Sequence, residues 1–115
     1  MQGTGGGNVA RFRLTAALAR RRVQELAAEA ASTANLIWTD HVQQQMAQRG
    51  IDSDAVLRIL RSGDIESEPQ EGNKPGDWKV KVTLKMATGR VAGVVAAITK
   101  DDRLVIITTE WEDHR

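Results

Sequence analysis

The chain has no cysteine, no tyrosine, one phenylalanine and three tryptophans. Without cysteine there is no disulfide framework, no thiolate-held metal and no thiol nucleophile, a composition compatible with a reducing cytoplasm. So few aromatics leave a core built from alanine and aliphatic side chains, which implies modest stability or a partner. No apolar run approaches the roughly 18–20 residues that a bilayer span requires. The N-terminus offers glycine where a leader would carry a basic region and then an apolar stretch, so a soluble cytoplasmic protein with no membrane contact is expected. A large excess of charge of one sign is lacking too, since sixteen Lys/Arg against fifteen Asp/Glu give a net +1. The balance is uneven along the chain: the first 34 residues hold five arginines against Glu25 and Glu29, leaving eleven basic against thirteen acidic residues in the remainder. A uniformly basic nucleic-acid binder is not what this composition describes.

What is present is enough for one domain of 115 residues, 41% hydrophobic, and not for two. Residues 1–8, dense in glycine, read as a disordered tail. No strand precedes Gly3 to Asn8, so a dinucleotide-binding loop is not indicated. Residues 9–34 read as an appended amphipathic helix over 9–31. Its apolar stripe is Phe12, Ala16, Ala19, Val23, Leu26, Ala27 and Ala30, with Arg11, Arg13, Arg20, Arg21 and Arg22 on the other faces. Such a stripe, rich in alanine, suits close approach to a second copy or to a partner, and a solvated arginine face accounts for the rest.

The third segment, residues 35–115, carries two short helices and then a sheet. Thr39-Asp40 caps a helix over 41–48 that ends at Gly50, and Asp52 or Ser53 caps another whose stripe is Ala55, Val56, Ile59 and Leu60 before Gly63. Beyond Gly63 the period becomes two. Ile65 to Pro69 is an edge-strand candidate, and Trp78, Val80, Val82, Leu84 and Met86 alternate with Lys79, Lys81, Thr83 and Lys85. Strands over 90–99 and 104–109 follow, so the expected fold class is α+β, an N-terminal helix and two short helices packed on an antiparallel sheet of about four strands.

The stretch Trp38 to Ile51, W-T-D-H-V-Q-Q-Q-M-A-Q-R-G-I, resembles the opening of the domain of unknown function 4258 family, typically written H-A-x-x-R-M-x-x-R-G-I. His41, Met46, Arg49, Gly50 and Ile51 match, while Gln45 stands where the family has its first arginine. W-K-V-K-V, V-V-A-A-I-T and R-L-V-I-I-T-T-E-W extend the likeness over roughly residues 36–112, leaving the helix over 9–31 outside it. The resemblance implies a fold like that of RelE-type toxins, bacterial ribonucleases that need no metal. By the same resemblance the protein is a toxin-type ribonuclease, or a degenerate relative, cleaving RNA by attack of the 2′-hydroxyl. The alternative is a non-catalytic module that binds RNA or protein. An antitoxin protein is the other partner that the resemblance implies.

Metal-independent cleavage needs a base for the 2′-hydroxyl, an acid for the leaving oxygen and cations for the phosphoryl charge. The candidate catalytic residues are His41 as base with Arg49 and Lys81. Arg49 equally suits pairing with Asp52 or Asp54. Lys79, Lys85 and Arg90 are candidate RNA contacts, although lysines alternating along a half-buried strand also read as its solvated side. Trp111 lies where several RelE-like toxins use a tyrosine, and an indole stacks on a base but carries no proton. No cofactor and no metal is expected, because nothing fixes the geometry of the acidic end Glu110, Glu112, Asp113 and His114, and the two histidines, His41 and His114, have no short ligand spacing.

Overall fold

A computed structural model describes residues 13–28 and 35–112. The elements are α1 (Ala16–Ala28), β1 (Leu36–Trp38), α2 (Asp40–Arg49), α3 (Ser53–Ser62), β2 (Gln70–Glu71), β3 (Trp78–Lys85), β4 (Val91–Ile98) and β5 (Leu104–Trp111). The class is α+β, as expected, but the sheet has five strands and is mixed. In the order β1-β5-β4-β3-β2, β1 runs parallel to β5 and all other pairs are antiparallel. Leu36-Ile37-Trp38, three residues too short to show a period, is therefore a strand, started by the Leu104 amide donating to the Asn35 carbonyl at 2.7 Å. The edge strand also lies later than expected. Ile65 and Pro69 turn inward and are buried, and Gln70 and Glu71 pair with Lys79 and Trp78.

Caps fix both short helices. The Thr39 hydroxyl oxygen accepts from the Val42 amide at 3.1 Å and donates to the Ile106 carbonyl at 3.0 Å, which ties the start of α2 to β5. Gly50 closes α2 in the left-handed region, φ 68°, a conformation that costs a side-chain-bearing residue roughly 1–2 kcal/mol. Asp52 accepts from the Ala55 amide at 2.8 Å and opens α3.

The apolar stripe of α1 is used within the chain. Ala19, Val23, Leu26 and Ala27 are buried in one cluster with Val56, Ile59 and Leu60 of α3 and with Val80, Val82, Val94, Leu104 and Ile106 of the sheet. The surface that the sequence offered to a second copy is thus occupied by α3; Phe12 and Ala30 lie outside the described residues. Several of the arginines are also engaged. Arg20 donates to the Gly63 carbonyl at 3.0 Å at the end of α3, and Arg61 donates to the Ala27 carbonyl at 3.1 Å at the end of α1. Each helix so supplies a cation to the negative end of the other. Arg22 pairs with Asp102 and Arg13 with Glu68. All three helices contribute to a core on one side of the sheet, and strand alternation sends Lys79, Lys81, Thr83 and Lys85 to the opposite side.

Candidate functional site

His41, Gln45 and Arg49 follow one another at i, i+4 and i+8 along α2, spanning about 12 Å at a rise of 1.5 Å per residue. Their face of the helix meets β5. Strand β1 stops at Trp38, opposite Ile106, so the Thr109 peptide three residues further on has no strand neighbour on that edge. Two side chains of α2 take the place of one. The Thr109 amide donates to Gln45 Oε1 at 3.1 Å, and Arg49 donates to the Thr109 carbonyl. A bulge between Val95 and Ala96 lets the ladder skip one residue of β5 just before this point.

Arg49 also anchors an aromatic ring through its backbone. The Trp111 indole N–H donates to the Arg49 carbonyl at 2.8 Å, and the Arg90 guanidinium lies over the indole, 4.1 Å from its centroid. Geometry of this kind is a cation–π contact. At the other end of the row, His41 is exposed and its Nε2 is 3.0 Å from the Gln45 amide nitrogen. The corner between α2 and β5 therefore gathers an imidazole, two guanidiniums and an indole, with Gln45 joining the imidazole to β5.

Four of the residues singled out from sequence, His41, Arg49, Arg90 and Trp111, come together here. Lys79, Lys81 and Lys85 do not, because the register pairing Lys81 with Val95 places them on the face of the sheet away from α2. Lys81 is moreover held between two carboxylates, 3.0 Å from Glu110 and 2.6 Å from Glu112, above Gly93. A Cβ at Gly93 would stand 2.7 Å from Glu112 Oε2 and 3.2 Å from Lys81 Cε, so the missing side chain leaves room for this ion pair. Gln45 and Thr109 were not foreseen as partners. The only signal for Gln45 was that it replaces an arginine, and the open peptide it caps is a product of the bulge and of where β1 ends.

The ion pair has a pH signature. The hydrogen bond with Glu112, then the Lys81 ammonium, hold the Glu110 carboxyl below its ordinary value of 4.5. Lys81 is held above its ordinary 10.5, chiefly by its hydrogen bond to Glu112, with burial opposing. A carboxyl whose folded-state value is depressed binds protons less readily folded than unfolded, so its contribution is present above 4.5 and is lost as pH falls below it. Both side chains are partly exposed, which limits the effect to at most about 1 kcal/mol. Glu110→Gln is expected to lower the urea midpoint slightly at about pH 7 and to match the parent at about pH 3. A deficit that persists unchanged in acid would mean that charge is not its origin.

A separate open cleft of about 890 Å³ lies between α1 and the loops after β2 and β4, lined by Leu14, Leu18, Arg21, Trp78, Ile98 and Lys100 among others. Its rim is balanced, Arg21, Lys74 and Lys100 against Glu25, Glu71 and Asp77, with Arg22 and Asp102 paired, so its charge favours neither anions nor cations. Among the described residues no group of three His, Cys, Asp or Glu is placed to hold a metal ion, and no helix is long and apolar enough to cross a membrane.

Fold and corner together define a two-layer α+β domain with one face of a five-stranded mixed sheet covered by helices. The chain belongs to the family described as Domain of unknown function (DUF4258), whose family model matches residues 38–111. That span runs from the last residue of β1 to the last of β5 and contains the whole corner. Comparison with curated proteins gave no match. Comparison with solved structures gave none either.

Proposed function

We propose that the α2–β5 corner binds single-stranded RNA and that the protein is a degenerate relative of toxin-type ribonucleases, holding RNA without cutting it. The observation that carries this reading is the Arg90–Trp111 stack at 4.1 Å beside Arg49. An indole with a guanidinium over it offers a stacking surface for a base and a cation for the adjoining phosphate. The lysine face of β3 is the weaker candidate, since Glu110 and Glu112 neutralise its central cation and would repel a phosphate.

Against cleavage stands the division of its parts. His41 is at the corner, Lys81 is on the other face of the sheet, and Arg49 is engaged with the Thr109 carbonyl. A base without a facing acid falls short of what 2′-hydroxyl attack requires. The test is a fluorescence-anisotropy titration of the full chain with labelled single-stranded RNA, with the same mixture sampled for new RNA 5′ ends. Saturable, salt-sensitive binding with intact RNA is the expected result. New 5′ ends that disappear in His41→Ala would return the protein to the active ribonucleases, and no binding at low salt would remove RNA altogether.

A further inference from the structure

We infer that Gln45 is a positioning residue that holds His41 in its Nδ1–H tautomer, so that His41 meets a ligand as a hydrogen-bond donor and not as a base. One group at this corner has a role that is not adjustable. A backbone N–H can only donate, and the Thr109 amide points at Gln45 at 3.1 Å, so the atom it meets is the carboxamide oxygen. The orientation of the amide is then fixed. Its NH2 group is the end that faces His41, at 3.0 Å from Nε2.

An NH2 group has no lone pair to offer, so Nε2 must accept, and in the neutral ring the proton then sits on Nδ1. Among the described residues Gln45 is the one hydrogen-bond partner that His41 has, and the ring is otherwise exposed, so Nδ1–H is left for a ligand. The chain of control runs from the end of β1, through the open Thr109 peptide and Gln45, to one proton on His41. Its chemical consequence is that His41 adds a donor, Nδ1–H, to a corner that already carries the positive charge of the Arg49 and Arg90 guanidiniums. Donors of that kind recognise acceptor-only groups, phosphate oxygens above all. The tautomer is independent of the RNA reading, whereas the phosphate oxygen as its partner rests on that reading.

The test uses the full chain labelled with ¹⁵N and a long-range ¹H–¹⁵N correlation spectrum of the imidazoles at about pH 8, above the ordinary imidazole range. The His114→Gln variant identifies the His41 signals. The expected spectrum has a protonated Nδ1 and a bare Nε2. Gln45→Glu is the informative variant, because one carboxylate oxygen still accepts from Thr109 while the other requires a donor from His41. It is expected to move the proton to Nε2 and leave the fold intact, as judged by the amide spectrum. An Nε2–H tautomer in the parent chain, or the same tautomer in both, would overturn the assignment.

The donor role is read separately from RNA titrations. His41→Asn places an N–H near the position of Nδ1 and is expected to keep the affinity within about twofold, whereas His41→Ala loses about tenfold. Equal losses in the two variants would overturn the donor role. A parent chain that binds no RNA would remove the ligand and leave the tautomer to the spectra alone, so the two failures are distinguishable.

Discussion

Gly63→Ala is expected to be among the most destabilising single-methyl additions in this chain, at about 3 kcal/mol, the upper end of what overpacking usually costs. The reason is not backbone conformation, since φ at Gly63 is −81° and open to any residue. It is space. A Cβ there would lie 2.5 Å from the Thr83 carbonyl oxygen, 2.6 Å from that of Ile59 and 2.7 Å from Val82 Cγ1. Two of the three are backbone atoms with bonds of their own. Thr83 and Asp64 exchange amide and carbonyl bonds at 2.9 Å, and the Ile59 carbonyl accepts from the Gly63 amide at 2.7 Å. Arg20 of α1 also donates to the Gly63 carbonyl, so relief of the clash would have to move α3 from β3 and loosen its clasp on α1. A domain of this size typically has about 5–15 kcal/mol in total, so thermal unfolding should begin about 10 °C or more lower. A midpoint within about 2 °C of the parent would show that α3 and β3 do not meet as closely as described.

The second large effect is expected from Arg90→Glu on RNA affinity. Charge reversal removes the cation over Trp111 and places a carboxylate beside the proposed phosphate path, so affinity should fall about tenfold or more, with a shallower dependence on salt. Lys85→Glu makes the same change in net charge on the other face of the sheet and is expected to stay within about threefold. Comparable losses in the two would mean that RNA senses net charge and not the corner. Anisotropy titrations at two salt concentrations decide between them.

Much of the architecture can be read from residues alone. Thr39, Gly50, Asp52 and Gly63 punctuate α2 and α3 where their chemistry says they should, and the alternation of Trp78 to Lys85 announces β3. β1 escapes such reading because three residues carry no period, and its partner β5 arrives only at the end of the chain. The β2 edge escapes for another reason. Its register follows from the turn that bonds Gly72 to Asp77 at 2.7 Å, which pairs Gln70 and Glu71, not the more apolar Ile65, with β3.

The corner is legible in part. His41 and Arg49 stand out through spacing and resemblance, and Arg90 and Trp111 through their side-chain chemistry. That Lys81 belongs elsewhere was also readable in principle. A strand whose apolar residues face the helices must carry its lysines away from them, and hence away from α2. What the chain hides is the link between His41 and β5, because Gln45 matters only once a bulge and a short β1 leave the Thr109 peptide open.

The most direct test of the α2–β5 corner as the binding surface is a map of amide and indole shifts in the ¹⁵N-labelled chain as single-stranded RNA is added. The expected changes are at the Trp111 indole N–H, at the amides of Arg49, Gly50 and Arg90, and at the His41 ring, with the amides of Lys79 and Lys85 unmoved. Changes confined to the lysine face of β3, or none on saturating RNA, would contradict it.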